Sequence, residues 1–156
     1  MIRLALYEPD IPQNTGTLMR LSACLGVTLD IIEPCGFILS DKNLRRAGMD
    51  YIAVADVTRH MNWQAFTAAH AARRIVLLTT KTDRPFTNFQ FQPDDILLAG
   101  RESAGVPDSV HEACTARVTV PMVANVRSLN VAVATAMVLG EALRQTNGYP
   151  TVIPQR

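Results

Sequence analysis

Positive and negative residues are nearly balanced in this sequence, since 15 Lys and Arg residues and 14 Asp and Glu residues leave a net charge of +1. This balance gives no general attraction to nucleic acid, although a local basic patch can still exist. The three cysteines, Cys24, Cys35 and Cys114, form no C-x-x-C pair. An odd number of isolated thiols favours a reduced, cytoplasmic protein in which each cysteine is a small buried apolar residue.

Metal-binding motifs and long apolar runs are also missing. His60, His70 and His111 are scattered along the chain without H-E-x-x-H or a Cys/His cluster, so we expect no metal site. The longest apolar run lies within residues 131–140, far short of the ~20 residues that span a bilayer, and the N-terminus lacks a signal-peptide pattern. We therefore expect no membrane segment, and a single domain, 1–156, with a sizeable core.

Short apolar runs alternate with segments of helical spacing. The runs predict strands at residues 2–7, 27–33, 51–57, 74–79, 95–99 and 117–120. The spacing predicts helices at residues 14–25, 41–48, 63–72, after Pro107, and at 128–145, with Gly26 ending the first helix. This alternation predicts an α/β fold, a mostly parallel sheet with helices on both faces.

The last predicted helix, in "VRSLNVAVATAMVLGEALRQ", is unusually apolar. Between Val131 and Gly140 the only polar residue is Thr135. "VAVAT" alternates well enough to suit a strand, but Ser128 as N-cap and the polar final turn favour a helix. A helix with so little polar surface requires cover on both sides.

Nucleotide-binding fingerprints are absent as well, since neither G-x-G-x-x-G nor G-x-x-x-x-G-K-[ST] occurs. That counts against a Rossmann dehydrogenase, a Rossmann-type methyltransferase and a P-loop NTPase. Three loops that follow strands are unusual instead: "YEPDIPQNTGTLMRL", "LLAGRESAGVP" and "VPMVANVRSLN". Ligands of open α/β sheets bind in loops at the carboxyl ends of strands, so these loops predict the site.

Each candidate in these loops also has an ordinary structural explanation. Gly100 and Gly105 suit either a tight turn with positive φ or a flat ligand lying against bare backbone. The polar candidates are Asn14, Arg20, Glu102, Ser128 and Asn130. Asn14 and Ser128 could be N-caps, Arg20 and Glu102 solvated charges, and Asn130 a polar residue of a first helical turn.

Taken together, the three loops resemble those of the SPOUT superfamily of RNA methyltransferases. Within it, the chain is most similar to the tRNA (cytidine/uridine-34)-2′-O-methyltransferases, which act on the wobble ribose. The matching stretches run from residue 4 to residue 145. N-x-x-x-x-x-R, G-x-E-x-x-G and S-L-N-V are superfamily motifs, and "EPDIPQNTG" with "LRRAGMDY" is typical of the branch.

The resemblance implies S-adenosylmethionine as methyl donor, a tRNA anticodon stem-loop as partner, and no metal. It also implies a C-terminal trefoil knot (an α/β knot) and a homodimer that packs the first and last helices across the twofold axis. The residues that match cofactor contacts are Leu78, Gly100, Val120 and Ser128. The residues that match the conserved polar, catalytic set are Asn14, Arg20, Glu102, Ser128 and Asn130. Arg20 would act on the ribose 2′-OH as an electrostatic partner, because a guanidinium stays protonated.

The chain departs from its relatives at several positions. Where they commonly have "GPETRGLP", it has "GRESAGVP", which loses an arginine at Ala104 and gains Arg101. Ala132 and Val133 replace a common Ser-Asn, and Gly140 replaces a frequent Tyr. The gain of Arg101 would move an RNA phosphate contact.

Two alternative functions remain open. One is 2′-O-methylation of another tRNA position or of ribosomal RNA, against which the lack of an added RNA-binding segment argues. The other is a catalytically silent RNA-binding paralogue, against which the retained polar set argues. Six basic residues fall in three short stretches: Lys42, Arg45, Arg46, Arg59, Arg73 and Arg74. Each suits a solvated helix face, but if the dimer aligns them they would form a footprint for the anticodon stem-loop.

Overall fold

The computed structural model describes residues 1–40, 42–43 and 55–155. Within these ranges six strands form one sheet, and every pairing in it is parallel. The strands are β1 (Arg3–Tyr7), β2 (Thr28–Ile32), β3 (Val57–His60), β4 (Ile75–Leu78), β5 (Ile96–Ala99) and β6 (Ala116–Val118). Their order, β3-β2-β1-β5-β4-β6, puts β1 beside β5, with Arg3 opposite Ile96.

Helices flank this sheet, as the sequence predicts. They are α1 (Pro12–Leu25), α2 (Trp63–Ala69), α3 (Asp108–Ala113) and α4 (Val131–Thr146), with a 3₁₀ turn at Phe86–Asn88. No helix in the described ranges is long and apolar enough to cross a membrane.

Both faces of the sheet are buried because successive side chains of each strand point to opposite sides. Leu4, Leu6, Leu29 and Ile31 belong to one hydrophobic cluster, which includes side chains of α1 and α4. The other cluster holds side chains such as Tyr7, Ile32, Phe66 and Val110, the last two from α2 and α3. Cys114 lies in this second cluster as expected, whereas Cys24 is exposed on α1 and Cys35 is only half-buried.

Two histidines that are scattered in the sequence meet at one buried carboxylate. The side chain of Asp30 is 0% exposed, and its Oδ1 lies 2.8 Å from His60 Nε2 and 3.3 Å from His70 Nε2. Arg3 also donates Nε to Oδ2 and Nη2 to Oδ1, at 2.9 and 3.1 Å. These contacts use most of the lone pairs of the carboxylate and join β1, β2, β3 and the end of α2. The group is therefore explained as a hydrogen-bond network that fixes this edge of the sheet.

Two predicted boundaries differ from the structure. The third strand was predicted at 51–57, but β3 spans Val57–His60. Residues 51–54 of that prediction lie outside the described ranges. So do residues 41 and 44–50 of the predicted helix 41–48. Among the described strands β3 pairs only with β2, and an edge strand tolerates polar residues such as Thr58 and Arg59 that break the apolar pattern. Helix α1 begins at Pro12, because a proline fits the first helical position. It ends at Gly26, φ +66°, as predicted.

Helix α4 buries one face within the chain. Val138 and Leu139 are 1% and 0% exposed, and Thr135 Oγ1 donates to the Val131 carbonyl at 2.7 Å. The opposite face is apolar too, but Val133 and Met137 remain 50% and 44% exposed. Among the described residues, the chain thus covers one face of this helix and leaves apolar side chains of the other exposed.

Candidate active site

A cavity of about 440 Å³ opens at the carboxyl ends of β4, β5 and β6. The loops after these strands form its walls, together with the start of α4 and residues of α1. This is the sheet edge at which ligands of parallel α/β folds bind. The three loops singled out in the sequence therefore meet at one place.

Seven of the eight predicted site residues line this cavity. They are Asn14, Leu78, Gly100, Glu102, Val120, Ser128 and Asn130. Arg20 does not line it; its side chain is exposed two turns further along α1. The cofactor set and most of the polar set are thus in one place, while Arg20 lies on the surface nearby.

Asn130 caps α4, which corrects the prediction of Ser128 as the N-cap. Asn130 Oδ1 accepts from the backbone N–H groups of Ala132 and Val133, at 2.8 and 3.2 Å. Ser128 lies two residues upstream of the cap, exposed and facing the cavity. The substitutions at 132 and 133 leave this cap intact, because these residues contribute their backbone N–H groups to it.

Asn14 is not the N-cap of α1, which was the other prediction from cap chemistry. It lies within the first turn, where its backbone N–H donates to the Ile11 carbonyl at 3.1 Å. Its side-chain Oδ1 accepts from Asn130 Nδ2 at 3.0 Å. This bond joins two predicted polar residues that are 116 positions apart, and so fixes the start of α4 against α1.

The two glycines of the "GRESAG" loop have different roles. Gly105 has a φ of +65° and closes a tight turn, in which Arg101 N–H donates to Gly105 O at 3.0 Å and Gly105 N–H to Arg101 O at 2.8 Å. Gly100 has no such φ. A Cβ there would lie 2.9 Å from Gly105 Cα, so Gly100 lets the loop fold against its own backbone. The turn explanation applies to Gly105, and the close approach of the loop's own backbone accounts for the glycine at position 100.

Glu102 adjoins an acidic residue that sequence reasoning missed, Asp10. Glu102 Oε2 accepts from the Asp10 backbone N–H at 2.9 Å. Burial and the neighbouring Asp10 carboxyl raise the pKa of Glu102, while a hydrogen bond from the Asn14 amide opposes that rise. The hydrogen bond with Glu102 in turn lowers the pKa of Asp10 to about 2. A proton shared by this pair therefore resides on Glu102.

Arg101, one of the departures, turns toward Asp10. Its Nε lies 3.6 Å from Asp10 Oδ2, and 31% of its side chain is exposed. The gained arginine thus faces an acid that adjoins the site. At another departure, a Cβ on Gly140 would lie 3.0 Å from the Tyr149 hydroxyl, so the chain end occupies space beside that helix position.

Lys81 and His111 also line the cavity and were not predicted. Lys81 belongs to "LLTTK", directly after β4, and this position was the available signal.

Three residues of the predicted basic footprint are engaged elsewhere. Arg59 pairs with Glu33 at 2.6 Å and Arg74 with Asp95 at 2.7 Å, while Arg73 donates to the carbonyls of Met1 and Asp94. Of the rest, Lys42 is exposed and Arg45 and Arg46 lie outside the described residues.

Known proteins share both the sequence and the fold. A protein of Beijerinckia indica subsp. indica named tRNA (cytidine(34)-2′-O)-methyltransferase is 59% identical over 152 residues, 96% of this chain and 95% of that protein. A solved structure described as "Structural insights into the 2-OH methylation of C/U34 on tRNA" superposes with a TM-score of 0.88 at 39% identity, covering 95% of this chain and 97% of the other.

More distant structures share the fold over part of a longer chain. The SpoU methyltransferase AviRb from Streptomyces viridochromogenes, solved in complex with AdoMet, superposes with a TM-score of 0.74 at 25% identity. The match covers 93% of this chain and 60% of that one. The model of the SpoU rRNA Methylase family matches residues 1–140. This match takes in the sheet, the cavity loops and most of α4, and the chain accordingly belongs to the SpoU rRNA methylase family.

Proposed function

We propose that this protein is a tRNA 2′-O-methyltransferase that transfers a methyl group from S-adenosylmethionine to the ribose of cytidine or modified uridine 34. The observation that carries the proposal is the cavity at the carboxyl ends of β4–β6, which gathers seven predicted site residues. The near full-length similarity to a tRNA (cytidine(34)-2′-O)-methyltransferase supports position 34 over other RNA sites.

The cavity fits the cofactor in size and chemistry. Its volume of about 440 Å³ is within the range of ~300–1,000 Å³ for small-molecule sites. Leu78 and Val120 would form apolar walls around adenine and ribose, and Gly100 and Ser128 would offer backbone and hydroxyl groups. S-adenosylmethionine, when bound, supplies a sulfonium methyl group that an oxygen can displace in line. No metal is required for this chemistry.

The protein's own residues then have to align the 2′-oxygen and stabilise its developing charge. Asn14 and Asn130 hold the helix ends that border the cavity, and Glu102 anchors its loop. We assign Arg20 to the RNA, as an electrostatic partner of the alkoxide or of an adjacent phosphate, because its exposed side chain lies outside the cavity. The 2′-oxygen bonds to the methyl carbon, the carbon–sulfur bond breaks, and the proton leaves to phosphate or water.

We further propose a homodimer in which a second copy covers α4. Val133 and Met137 form an exposed apolar surface on α4, and the loop 121–130 before it exposes Met122, Val123, Val126 and Leu129. Exposed apolar side chains grouped along residues 122–137 in this way are typical of an interface. We also propose that the whole chain forms one domain, that its C-terminal segment is knotted, and that it acts on tRNA in the cytoplasm. Membership of the SpoU family supports the knot.

The test is methyl transfer from labelled cofactor to total tRNA that lacks the modification, followed by nuclease mapping of the product. Arg20→Ala should retain the fold and cofactor affinity but lose about a hundredfold or more in rate. Arg20→Lys should also fail, because a point charge does not replace a planar guanidinium. Arg144→Ala is the control, because Arg144 is an exposed arginine near the end of α4 that pairs with Glu141 and is not part of the predicted footprint.

Product on a base, on ribosomal RNA or at a nucleotide other than 34 would contradict the assignment. Absence of transfer despite cofactor and tRNA binding would favour the silent paralogue. Near-normal rates in Arg20→Ala would remove Arg20 from the chemical step.

A further inference from the structure

Asp10 joins two loops that are distant in sequence. It lies just before α1, and its carboxylate faces the loop 100–105, whose residues line the cavity. We propose that Asp10 is a positioning residue that holds this loop in its ligand-binding shape and thereby sets the affinity for the cofactor. The choice of S-adenosylmethionine as that ligand rests on the proposed function.

Three consecutive residues of the loop contact Asp10. Arg101 Nε lies 3.6 Å from Asp10 Oδ2, Glu102 Oε2 accepts from the Asp10 N–H at 2.9 Å, and the Ser103 hydroxyl donates to Asp10 Oδ2. A second segment, around Gly36, fixes the backbone at Asp10. The Gly36 N–H donates to the Pro9 carbonyl at 2.9 Å, and a Cβ on Gly36 would lie 2.5 Å from Asp10 Cβ. Asp10 is thus a fixed point against which the loop is positioned.

Among the described residues, few other hydrogen bonds fix the direction of the loop. Its internal hydrogen bonds join Arg101 to Ala104 and Gly105 and so close the turn without fixing its direction. Ser103, Ala104 and Gly105 are exposed. The contacts with Asp10, together with the hydrogen bond between Asn14 and Glu102, therefore orient the turn over the cavity.

One proton couples this contact to pH. Asp10 Oδ1 is buried and accepts no hydrogen bond from any residue in the described ranges. A protonated Glu102 carboxyl can donate to it, while Arg101 Nε, also without a hydrogen-bond partner in those ranges, lies 3.6 Å from the other oxygen. The charged and titratable groups that face the pair are Arg101 and the Cys35 thiol. Because the pKa of Glu102 is raised, the pair keeps its proton to a higher pH than an ordinary glutamate would. The loop should be held most firmly below that raised pKa, and less firmly as the pH rises through it.

The experiment measures loop protection and cofactor affinity in the full-length protein. Hydrogen exchange of residues 100–106 is followed from pH 5 to pH 8, corrected for the intrinsic exchange rate, and the dissociation constant of S-adenosylmethionine is measured by calorimetry. The variants are Asp10→Asn, Glu102→Gln, and Asp94→Asn as an exposed matched control.

Asp10→Asn should bind the cofactor about tenfold more weakly, as expected for loss of hydrogen bonds to a charged group. Its loop should exchange faster, and the pH midpoint of affinity should move lower, because the Asp10 carboxylate no longer raises the pKa of Glu102. Glu102→Gln keeps an N–H donor toward Asp10, so its loop protection should match the wild type at low pH and persist as the pH rises. Asp94→Asn should leave all three readouts unchanged.

Unchanged loop exchange in Asp10→Asn overturns the inference, whatever the ligand is. A weaker affinity without a shift in the pH midpoint also overturns it, because it would reflect a merely structural role. If Asp10→Asn does not fold, the other two proteins still test the inference. Loop protection that does not depend on pH in the wild type overturns it, and so does loop protection that is lost in Glu102→Gln. Faster exchange in Asp10→Asn together with a wild-type protein that binds no S-adenosylmethionine would refute the proposed function and leave the loop contact standing.

Discussion

Asn130 combines two tasks that substitutions can separate. Its Oδ1 caps α4, while its Nδ2 donates to Asn14 at 3.0 Å. Asn130→Ala removes both contacts. Losing the cap should cost about 1 kcal/mol, which for a chain of this length lowers Tm by roughly 2–4 °C.

Asn130→Asp keeps the capping oxygen and loses only the donor. A carboxylate at the helix N-terminus also interacts favourably with the helix dipole, by about 0.3–1 kcal/mol. The melting temperature should therefore equal or slightly exceed that of the wild type. The rate of methyl transfer should nevertheless fall about tenfold or more, because Asn14 Oδ1 loses its donor and faces a new negative charge instead.

Thermal unfolding followed by circular dichroism and transfer to unmodified tRNA at saturating cofactor are the two assays. Asn130→Ser, which can cap but not reach Asn14, is the control for capping alone and should follow Asn130→Asp in stability. If Asn130→Asp were as unstable as Asn130→Ala, the assignment of the cap would be wrong. If it were as active as the wild type, the contact with Asn14 would have no part in function.

Three further outcomes follow from the geometry. Gly100→Ala places a Cβ 2.9 Å from the Gly105 backbone, so it should displace the loop and weaken cofactor binding in calorimetry by about tenfold or more, and an unchanged affinity would contradict the close approach. Met137→Glu should give a folded monomer in light scattering. Val138→Glu should instead unfold the chain, because the Val138 side chain is 1% exposed. The pKa of Asp10 is lowered from 3.8 to about 2, so its contribution to stability is present above about pH 4 and lost as the pH falls toward 2. Urea unfolding of wild type and Asp10→Asn across that range should show the difference between them shrinking, and a constant difference would exclude the linkage.

The sheet, its helices and the place of the site were predictable because they depend on local patterns. Strands such as the one predicted at 95–99 are buried on both faces of a parallel sheet. This burial requires a nearly continuous run of apolar residues, which can be recognised in the sequence. The loops after such strands necessarily meet at one edge. The gathering of Leu78, Gly100 and Val120 therefore follows from element order together with the family resemblance.

The features that were missed depend on backbone angles or on distant contacts. Ser128 and Asn130 are both good cap residues, and only the backbone path decides which one reaches the N–H groups of α4. The role proposed for Asp10 depends on its contacts with a loop more than 90 residues away. The meeting of His60 and His70 at Asp30 likewise requires the pairing of β2 with β3, which the predicted third strand misplaced.

The position of β1 in the centre of the sheet has a consequence for synthesis on the ribosome. One edge of β1 pairs with β2, about 25 residues later, but the other must wait for β5, since Arg3 pairs with Ile96, 93 positions downstream. At about 5–20 residues per second, that interval lasts roughly 5–20 s. Through this time the nascent chain carries an apolar strand with an unpaired backbone edge, a form prone to aggregation. Slowed elongation between residues 7 and 96 should therefore lower the yield of folded protein more than the same delay placed after residue 99.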